Sequence, residues 1–233
     1  MSASPANGTL ALIGGGEWTD GCRDLDAALL ETAAADNVVV LPTAAAFEHP
    51  ERSVERARTH FGALGVTVIP LMVLHRGEAE DAKIADTAAK ARFVYLGDGS
   101  PLHLRSVLKD SPLFEAIMSA YRSGAVLAAS GAGATVVCDP MVDPRGGAYT
   151  VGLGVVTGLA VFPYHGTAAD HLRERSIDLL PNGASLVGVD EQTALVRDPN
   201  GVWRAEGAGQ VSVYEQGKAV RFAAGQTVDP ITV

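Results

Sequence analysis

The stretch AVLAASGAGA at residues 125–134 decides the fold, because a run of apolar residues passes directly into a run of very small ones. This pattern predicts a buried strand that turns sharply into a helix. In α/β hydrolytic enzymes such a turn lifts one side chain above the sheet, and the backbone N–H groups that follow point at the oxyanion formed there. The stretch is therefore a candidate catalytic turn, and glycine is a candidate for its apex.

Composition indicates a globular protein with one core. The chain has 233 residues, of which 47% are apolar, and we expect a single domain over residues 1–233. Its 27 acidic and 18 basic residues give a net charge of −9, which disfavours a nucleic-acid partner. Two cysteines are too few for a disulfide framework, and the scattered histidines lack the spacing of zinc sites. We therefore expect no metal and no cofactor.

We expect no targeting signal from the first residues or the apolar runs of the chain. The first eight residues are small and polar, and no apolar run approaches the roughly 20 residues that a membrane helix needs. We therefore expect a cytoplasmic protein without a membrane partner.

The first half alternates short apolar runs with amphipathic segments. Strands are predicted at residues 10–13, 38–41, 66–73 and 93–96, and helices at 23–35, 50–64 and 78–91. Strands that are apolar on both faces and separated by helices indicate a mostly parallel sheet covered by helices on both faces. The fold class predicted from this order is α/β.

Four predicted strand ends carry distinctive clusters of residues. They are GGGEW at 14–18, PTAA at 42–45, GDGSP at 97–101 and the turn at 130–131. Because ligands bind at the carboxyl ends of parallel strands, we expect these four tips to meet and form a pocket.

The second half has a different texture. It is rich in glycine, with short strands predicted at 151–156, 159–162, 186–189, 193–196 and 210–214, and a helix at 168–180. DPNG at 198–201 and EQGK at 215–218 predict antiparallel hairpins. We expect this part to extend the same sheet.

Several motifs together resemble the peptidase E and cyanophycinase family. They are GGGE at 14–17, LGDGSP at 96–101, the turn at 129–134 with CDPM at 138–141 behind it, and GVDEQTA at 188–194. PLHLR at 101–105 and DPRGG at 143–147 look like the bacterial members labelled type 1 glutamine amidotransferase-like proteins. The resemblance implies a flavodoxin-like fold and a serine hydrolase ancestry. Relatives cleave peptide bonds beside aspartyl residues, or cyanophycin, with a serine, a histidine and an acid.

The chain departs from this family at the catalytic positions. The family's turn pattern, laid without gaps on residues 129–134, puts the nucleophilic serine on Gly131. The triad histidine of close relatives directly follows a strand-ending proline, whereas here Tyr164 holds that position and His165 comes next. The paired glycines of the oxyanion hole appear as Asp98 and Gly99, and a carboxylate there opposes the charge that the hole stabilises.

The candidate residues each have a functional and a structural interpretation. Ser130 is either a hydrogen-bonding turn residue or a nucleophile displaced by one position, and Asp98 either acts in the site or caps the next helix. Asp143 is a candidate orienting acid, His103 and His171 are weaker candidates, and Cys138 is interpreted as a core residue on the helix after the turn. The candidate catalytic residues are Ser130, Gly131, Asp98, Tyr164, His165 and Glu17, and the candidate oxyanion or substrate-binding residues are Gly99, Ala132, Gly16 and Glu191.

Three functional hypotheses remain open. The chain is an enzyme with repurposed acid–base chemistry on a small molecule or peptide, a serine hydrolase that uses Ser130 with His165, or a non-catalytic binding protein. An introduced substitution at Gly131 conflicts with the further changes at Asp98 and Tyr164. A homodimer that completes the site also stays open.

Overall fold

The first half of the chain forms a parallel sheet with its helices. The computed structural model describes residues 7–215, 218–229 and 231. The elements up to the candidate turn are β1 (Leu10–Ile13), α1 (Arg23–Ala33), β2 (Asn37–Leu41), α2 (Pro50–Ala63), β3 (Thr67–Pro70), α3 (Arg76–Ala79), α4 (Ala82–Ala89), β4 (Phe93–Leu96), α5 (Pro101–Leu108), α6 (Pro112–Arg122), β5 (Val126–Ser130) and α7 (Ala132–Val137), with short 3-10 helices at Asp20–Cys22 and Thr43–Ala45.

The second half is mostly short strands. Its elements are β6 (Cys138–Asp139), β7 (Met141–Val142), β8 (Tyr149–Thr150), β9 (Val156–Thr157), β10 (Leu159–Phe162), α8 (Asp170–Asp178), β11 (Ser185–Val189), β12 (Thr193–Arg197), β13 (Trp203–Gly207), β14 (Gln210–Glu215) and β15 (Lys218–Ala223). No helix in the described part of the chain is long and apolar enough to cross a membrane.

The main sheet has seven strands in the order β13-β12-β1-β5-β4-β2-β3. The five strands from β1 to β3 in this order pair in parallel, and β12 and β13 add an antiparallel edge. Side chains of α1 and α2 pack on one face of this sheet, and side chains of α4 to α7 pack on the other. The predicted α/β class, with a mostly parallel sheet covered on both faces, is confirmed.

The second half does not simply extend the main sheet, as the sequence analysis expected. Only β12 and β13 join it, while a separate six-stranded sheet has the order β15-β14-β11-β10-β6-β9. Its inner side chains, such as Val187, Val211 and Val213, share the large core with α4 to α7, and α8 packs on its outer face. The sequence lacks a signal for this split, because a half-buried strand has the same pattern in either sheet.

Other boundaries also differ from the predictions. The helix predicted at 78–91 is two helices, α3 and α4, and the strand predicted at 151–156 is mostly a loop. That loop packs closely on the end of α7: a Cβ atom at Gly152 would lie 1.7 Å from the carbonyl oxygen of Cys138. Cys138 itself is buried as expected, but it begins β6 instead of lying on a helix.

The hairpin prediction at 198–201 is confirmed. Asp198 Oδ1 accepts hydrogen bonds from the backbone N–H groups of Asn200 and Val202, which close the turn between β12 and β13. At the second predicted hairpin β14 and β15 do pair antiparallel, but the turn residues Gln216 and Gly217 lie outside the described residues.

Candidate active site

The four strand tips singled out from the sequence meet at the carboxyl edge of the main sheet. The backbone N–H of Gly97 donates to the carbonyl of Leu41 at 3.1 Å, and that of Gly131 donates to Ile13 at 2.9 Å. The loop after β4 is bound to the tip of β2, because the backbone N–H of Ser100 donates to the carbonyl oxygen of Ala44 at 2.8 Å. These bonds fix the loops that carry Glu17, Asp98 and Gly131 against one another.

The carboxylate of Asp98 occupies an oxyanion-hole arrangement of backbone donors. Its Oδ1 accepts from the N–H of Ala132 at 2.6 Å and from the N–H of Gly99 at 2.7 Å. Its Oδ2 accepts from the hydroxyl of Tyr164. Two N–H groups that converge on one oxygen are the arrangement that stabilises a tetrahedral oxyanion in acyl transfer. In this structure an oxygen of the Asp98 carboxylate takes the position of that oxyanion.

Gly131 makes room for this carboxylate. It has φ +51° at the turn between β5 and α7, a backbone conformation that favours glycine. A Cβ atom built on Gly131 would lie 2.2 Å from Cγ of Asp98. The space that a side chain at 131 would need is therefore filled by Asp98, so the two positions are coupled.

Ser130 lies below the site rather than in it. Its side chain is fully buried, and its hydroxyl donates to Glu17 Oε2 at 2.9 Å. Glu17 in turn accepts from the backbone N–H of Asp98 at 3.4 Å through Oε1. Ser130 thus anchors Glu17 beside Asp98, and no imidazole approaches its hydroxyl among the described residues.

The surroundings of Glu17 alter the pKa of its carboxyl group. Burial raises the pKa of Glu17 above its ordinary 4.5, and the negative charge of Asp98 raises it further, against smaller opposing effects that include the charge of Arg56. The folded protein therefore holds a proton on Glu17 over a pH range in which the unfolded chain has lost it.

This difference predicts a pH-dependent stability term. Below about pH 4.5 both states carry the proton and the stabilising contribution is fully present, and it is lost as the pH rises through the folded-state pKa. The amide group in Glu17→Gln cannot ionise. Between the unfolded and folded pKa of Glu17, the free energy of unfolding of this variant should therefore rise relative to that of the unmodified protein, by up to about 1.4 kcal/mol per pH unit. Urea unfolding at several pH values measures the difference, and a difference that stays constant with pH would contradict it.

An open cavity of about 450 Å³ lies over these groups. The main sheet contributes Glu17, Asp98 and Gly99, and α2 contributes Arg52 and Arg56 from one exposed face. Neither guanidinium forms a salt bridge within the described part of the chain. The other residues around the cavity are Gly16, Thr19, Ala45, Glu48, His49, Ser53, Tyr164 and Glu191.

The structure thus brings together part of the predicted set. Glu17, Asp98, Gly99, Tyr164, Gly16 and Glu191 border the cavity, whereas Gly131 and Ala132 lie beneath Asp98 and are covered by it. These two candidate residues therefore do not line the cavity.

His165 is not in this cavity, contrary to the sequence-based expectation. Tyr164 adopts φ +54° and points at Asp98, so the next side chain turns away to the second sheet. There His165 Nε2 lies 2.7 Å from the Tyr214 hydroxyl and Nδ1 lies 3.4 Å from Asp190 Oδ1. The proposed pair of Ser130 and His165 is therefore not formed.

The weaker histidine and acid candidates also lie elsewhere. His103 Nε2 lies 2.8 Å from the carbonyl of Leu74, and His171 is exposed on α8. Asp143 pairs with Arg145, which holds the pKa of Asp143 below its usual value. His103 lies in the first turn of α5, where its backbone N–H donates to the side chain of the capping residue Ser100.

Sequence reasoning missed the two arginines of the cavity. Their signal is the i, i+4 spacing of Arg52 and Arg56 at the start of the helix that follows the tip of β2, which puts both on one helix face near the site. In the described residues no group of three His, Cys, Asp or Glu side chains could hold a metal ion.

Comparisons with known proteins agree with this architecture. The cyanophycinases of Trichormus variabilis and of a Nostoc species are each 26% identical to this chain over 217 residues, covering 88% of this chain and 72% of theirs. The crystal structure of a peptidase from an acI-B1 Actinobacterium has a TM-score of 0.87 at 26% identity, over 97% of this chain and 98% of that one. A putative peptidase E from Listeria monocytogenes shares the fold, with a TM-score of 0.63 at 16% identity over 90% of this chain and 98% of that one.

The match to peptidase family S51 runs from residue 10 to residue 202, so it includes all four strand tips of the site and most of both sheets. With more than half of its length inside that match, this chain belongs to peptidase family S51.

Proposed function

We propose that this protein is an enzyme that uses the family's cleft for acid–base chemistry on a small anionic molecule or peptide. The observation that carries the proposal is the position of the Asp98 carboxylate, which occupies both backbone donors and the space above Gly131. An acyl-enzyme route needs a nucleophile at 131 and an empty oxyanion hole. Neither requirement is met, so family chemistry through a serine at this turn is disfavoured.

Glu17 is the group proposed to exchange the proton with the substrate. It borders the cavity, and its raised pKa keeps the carboxyl protonated closer to neutral pH than an ordinary glutamate. Asp98 supports this role, because its three hydrogen bonds fix a negative charge beside Glu17. The two carboxyl groups have different surroundings, so Glu17 can act as the proton donor while Asp98 stays a fixed anion.

Arg52 and Arg56 indicate the charge of the substrate. Their guanidinium groups border the same cavity and can hold a carboxylate or a similar anion in a two-point contact. An anion bound there occupies the cavity that Glu17 also borders. We therefore propose that the arginines bind and orient the substrate and that Glu17 transfers the proton.

The test compares Glu17→Gln with Glu48→Gln, a matched loss of one carboxylate on the exposed rim of the same cavity. Aspartyl and isoaspartyl dipeptides and small carboxylic acids are incubated in D₂O, and NMR follows both product formation and deuterium incorporation. We expect Glu17→Gln to lower turnover about 100-fold, the usual contribution of a general acid or base. Glu48→Gln should stay within about twofold.

Two results would overturn this proposal. Hydrolysis of a dipeptide that is lost in Ser130→Ala but kept in Glu17→Gln would make the protein a serine hydrolase. Saturable binding without any turnover or exchange would favour a binding protein, a role with which the self-occupied oxyanion hole is also compatible.

A further inference from the structure

A second cavity, of about 430 Å³, lies on the face of the six-stranded sheet that α8 covers. It shares no residue with the cavity over Glu17 and Asp98. Its polar side chains come from five segments: His165 from the loop after β10, Arg173 from α8, Asp190 from the loop after β11, Gln210, Ser212 and Tyr214 from β14, and Arg221 from β15.

The sheet itself makes room for this cavity. Gly188, Ser212 and Arg221 lie directly opposite one another on three neighbouring strands. The imidazole of His165 lies over Gly188, where a Cβ atom would be 2.2 Å from its Cδ2. The two small residues therefore form a depression in the sheet, with His165 above one of them and Arg221 beside the other.

The imidazole of His165 is held in one orientation. Its Nε2 lies 2.7 Å from the hydroxyl of Tyr214, and its Nδ1 lies 3.4 Å from Asp190 Oδ1. Asp190 is itself fixed, because its Oδ2 accepts from the backbone N–H of Gln210 at 3.0 Å. Fixed polar groups around a cavity are typical of a binding site.

Two arginines supply positive charge from separate elements, α8 and β15. Arg173 donates to the carbonyl oxygen of His165 at 3.3 Å and pairs with Asp170, which does not border the cavity, and these contacts hold its position. Both Arg173 and Arg221 lie close enough to His165 to lower the pKa of its imidazole, in addition to the larger effect of burial and against the opposing effect of Asp190. Asp190 is the one acid around this cavity among the described residues.

We propose that this cavity binds the phosphate group of a small phosphorylated molecule, with Arg173 and Arg221 as the ligands of the anion. Guanidinium groups from two separate elements, together with the hydroxyls of Ser212 and Tyr214 in the same lining, suit a tetrahedral ion with several acceptor oxygens better than a planar carboxylate. The volume is in the range of small-molecule sites, so it leaves room for an organic group attached to the phosphate. This inference does not depend on the proposed function.

The test measures binding of inorganic phosphate, glycerol phosphate and acetate by calorimetry. Arg173→Gln and Arg221→Gln remove the charge of each proposed ligand. Arg175→Gln is the matched control on the exposed side of α8, and every titration is made in the Arg52→Gln/Arg56→Gln background so that anion binding in the first cavity does not contribute. We expect each ligand variant to weaken phosphate binding roughly tenfold, as for the loss of one charge-assisted hydrogen bond, and Arg175→Gln to leave phosphate binding as it is in that background. Thermal melts check that each variant is folded.

The outcomes separate the alternatives. Tighter binding of glycerol phosphate than of the free ion supports a phosphate ester as the ligand, and the reverse order assigns the site to free phosphate. In that background, the proposal is overturned if phosphate does not bind, if acetate binds as tightly, or if affinity is lost in Arg175→Gln instead. Each of these results leaves the Glu17 test unaffected.

Discussion

Gly131→Ala is expected to lower the free energy of unfolding by about 3 kcal/mol. About 1 to 2 kcal/mol of this arises because alanine is strained at a positive φ, and Gly131 has φ +51°. The remainder arises because the new methyl group would lie 2.2 Å from Cγ of Asp98 and would displace its carboxylate from the two N–H donors. Urea unfolding followed by circular dichroism measures the change.

Two controls separate these contributions. Gly65→Ala places a methyl group at φ +78° with no atom within 4 Å, so it reports the backbone strain alone, about 1 kcal/mol. Asp98→Ala combined with Gly131→Ala should recover roughly 1 to 2 kcal/mol relative to the sum of the single changes. Additive effects would mean that the two positions are not coupled, and that Asp98 does not occupy the space above residue 131.

The sequence predicted several elements of the parallel half closely, where the apolar pattern is clear. β1 and β4 have the bounds that their apolar runs indicated, and α1 and α2 end within two residues of the predicted ends. The second sheet was not predicted, because the partner of a short strand such as β11 depends on contacts between residues distant in the chain. The register of these strands is set by packing rather than by local pattern.

The site was predicted in its place but not in its geometry. The strand-end rule located Glu17, Asp98 and the turn at Gly131. The sequence does not show the direction of each side chain. Tyr164 has a positive φ, and its own side chain points toward Asp98 while that of the next residue, His165, points toward Tyr214. A rotation of one residue in a loop thus decides which of two cavities receives the imidazole.

His60→Leu is expected to lower the free energy of unfolding by about 4 kcal/mol at pH 8, the usual result of removing one partner of a buried pair. Asp26 on α1 is fully buried, and its Oδ2 lies 2.8 Å from Nε2 of His60 on α2. Its other oxygen, Oδ1, has no hydrogen-bond partner among the described residues. Leucine keeps most of the volume of the imidazole, so the loss measures chiefly the unpaired carboxyl group.

The pH dependence of this variant distinguishes a charge effect from a packing effect. Burial already raises the pKa of Asp26, and the loss of the opposing effect of His60 raises it further. The contribution of the Asp26 carboxyl group to stability is therefore fully present below its unfolded pKa of 3.8 and is lost as the pH rises through its folded pKa. The loss of unfolding free energy in His60→Leu should therefore be smaller at pH 5 than at pH 8. Asp26→Asn in the same background should remove this dependence, whereas a defect equal at both pH values would indicate packing alone. Since α2 also carries Arg52 and Arg56, the same pair holds the proposed substrate-binding arginines in place over Glu17.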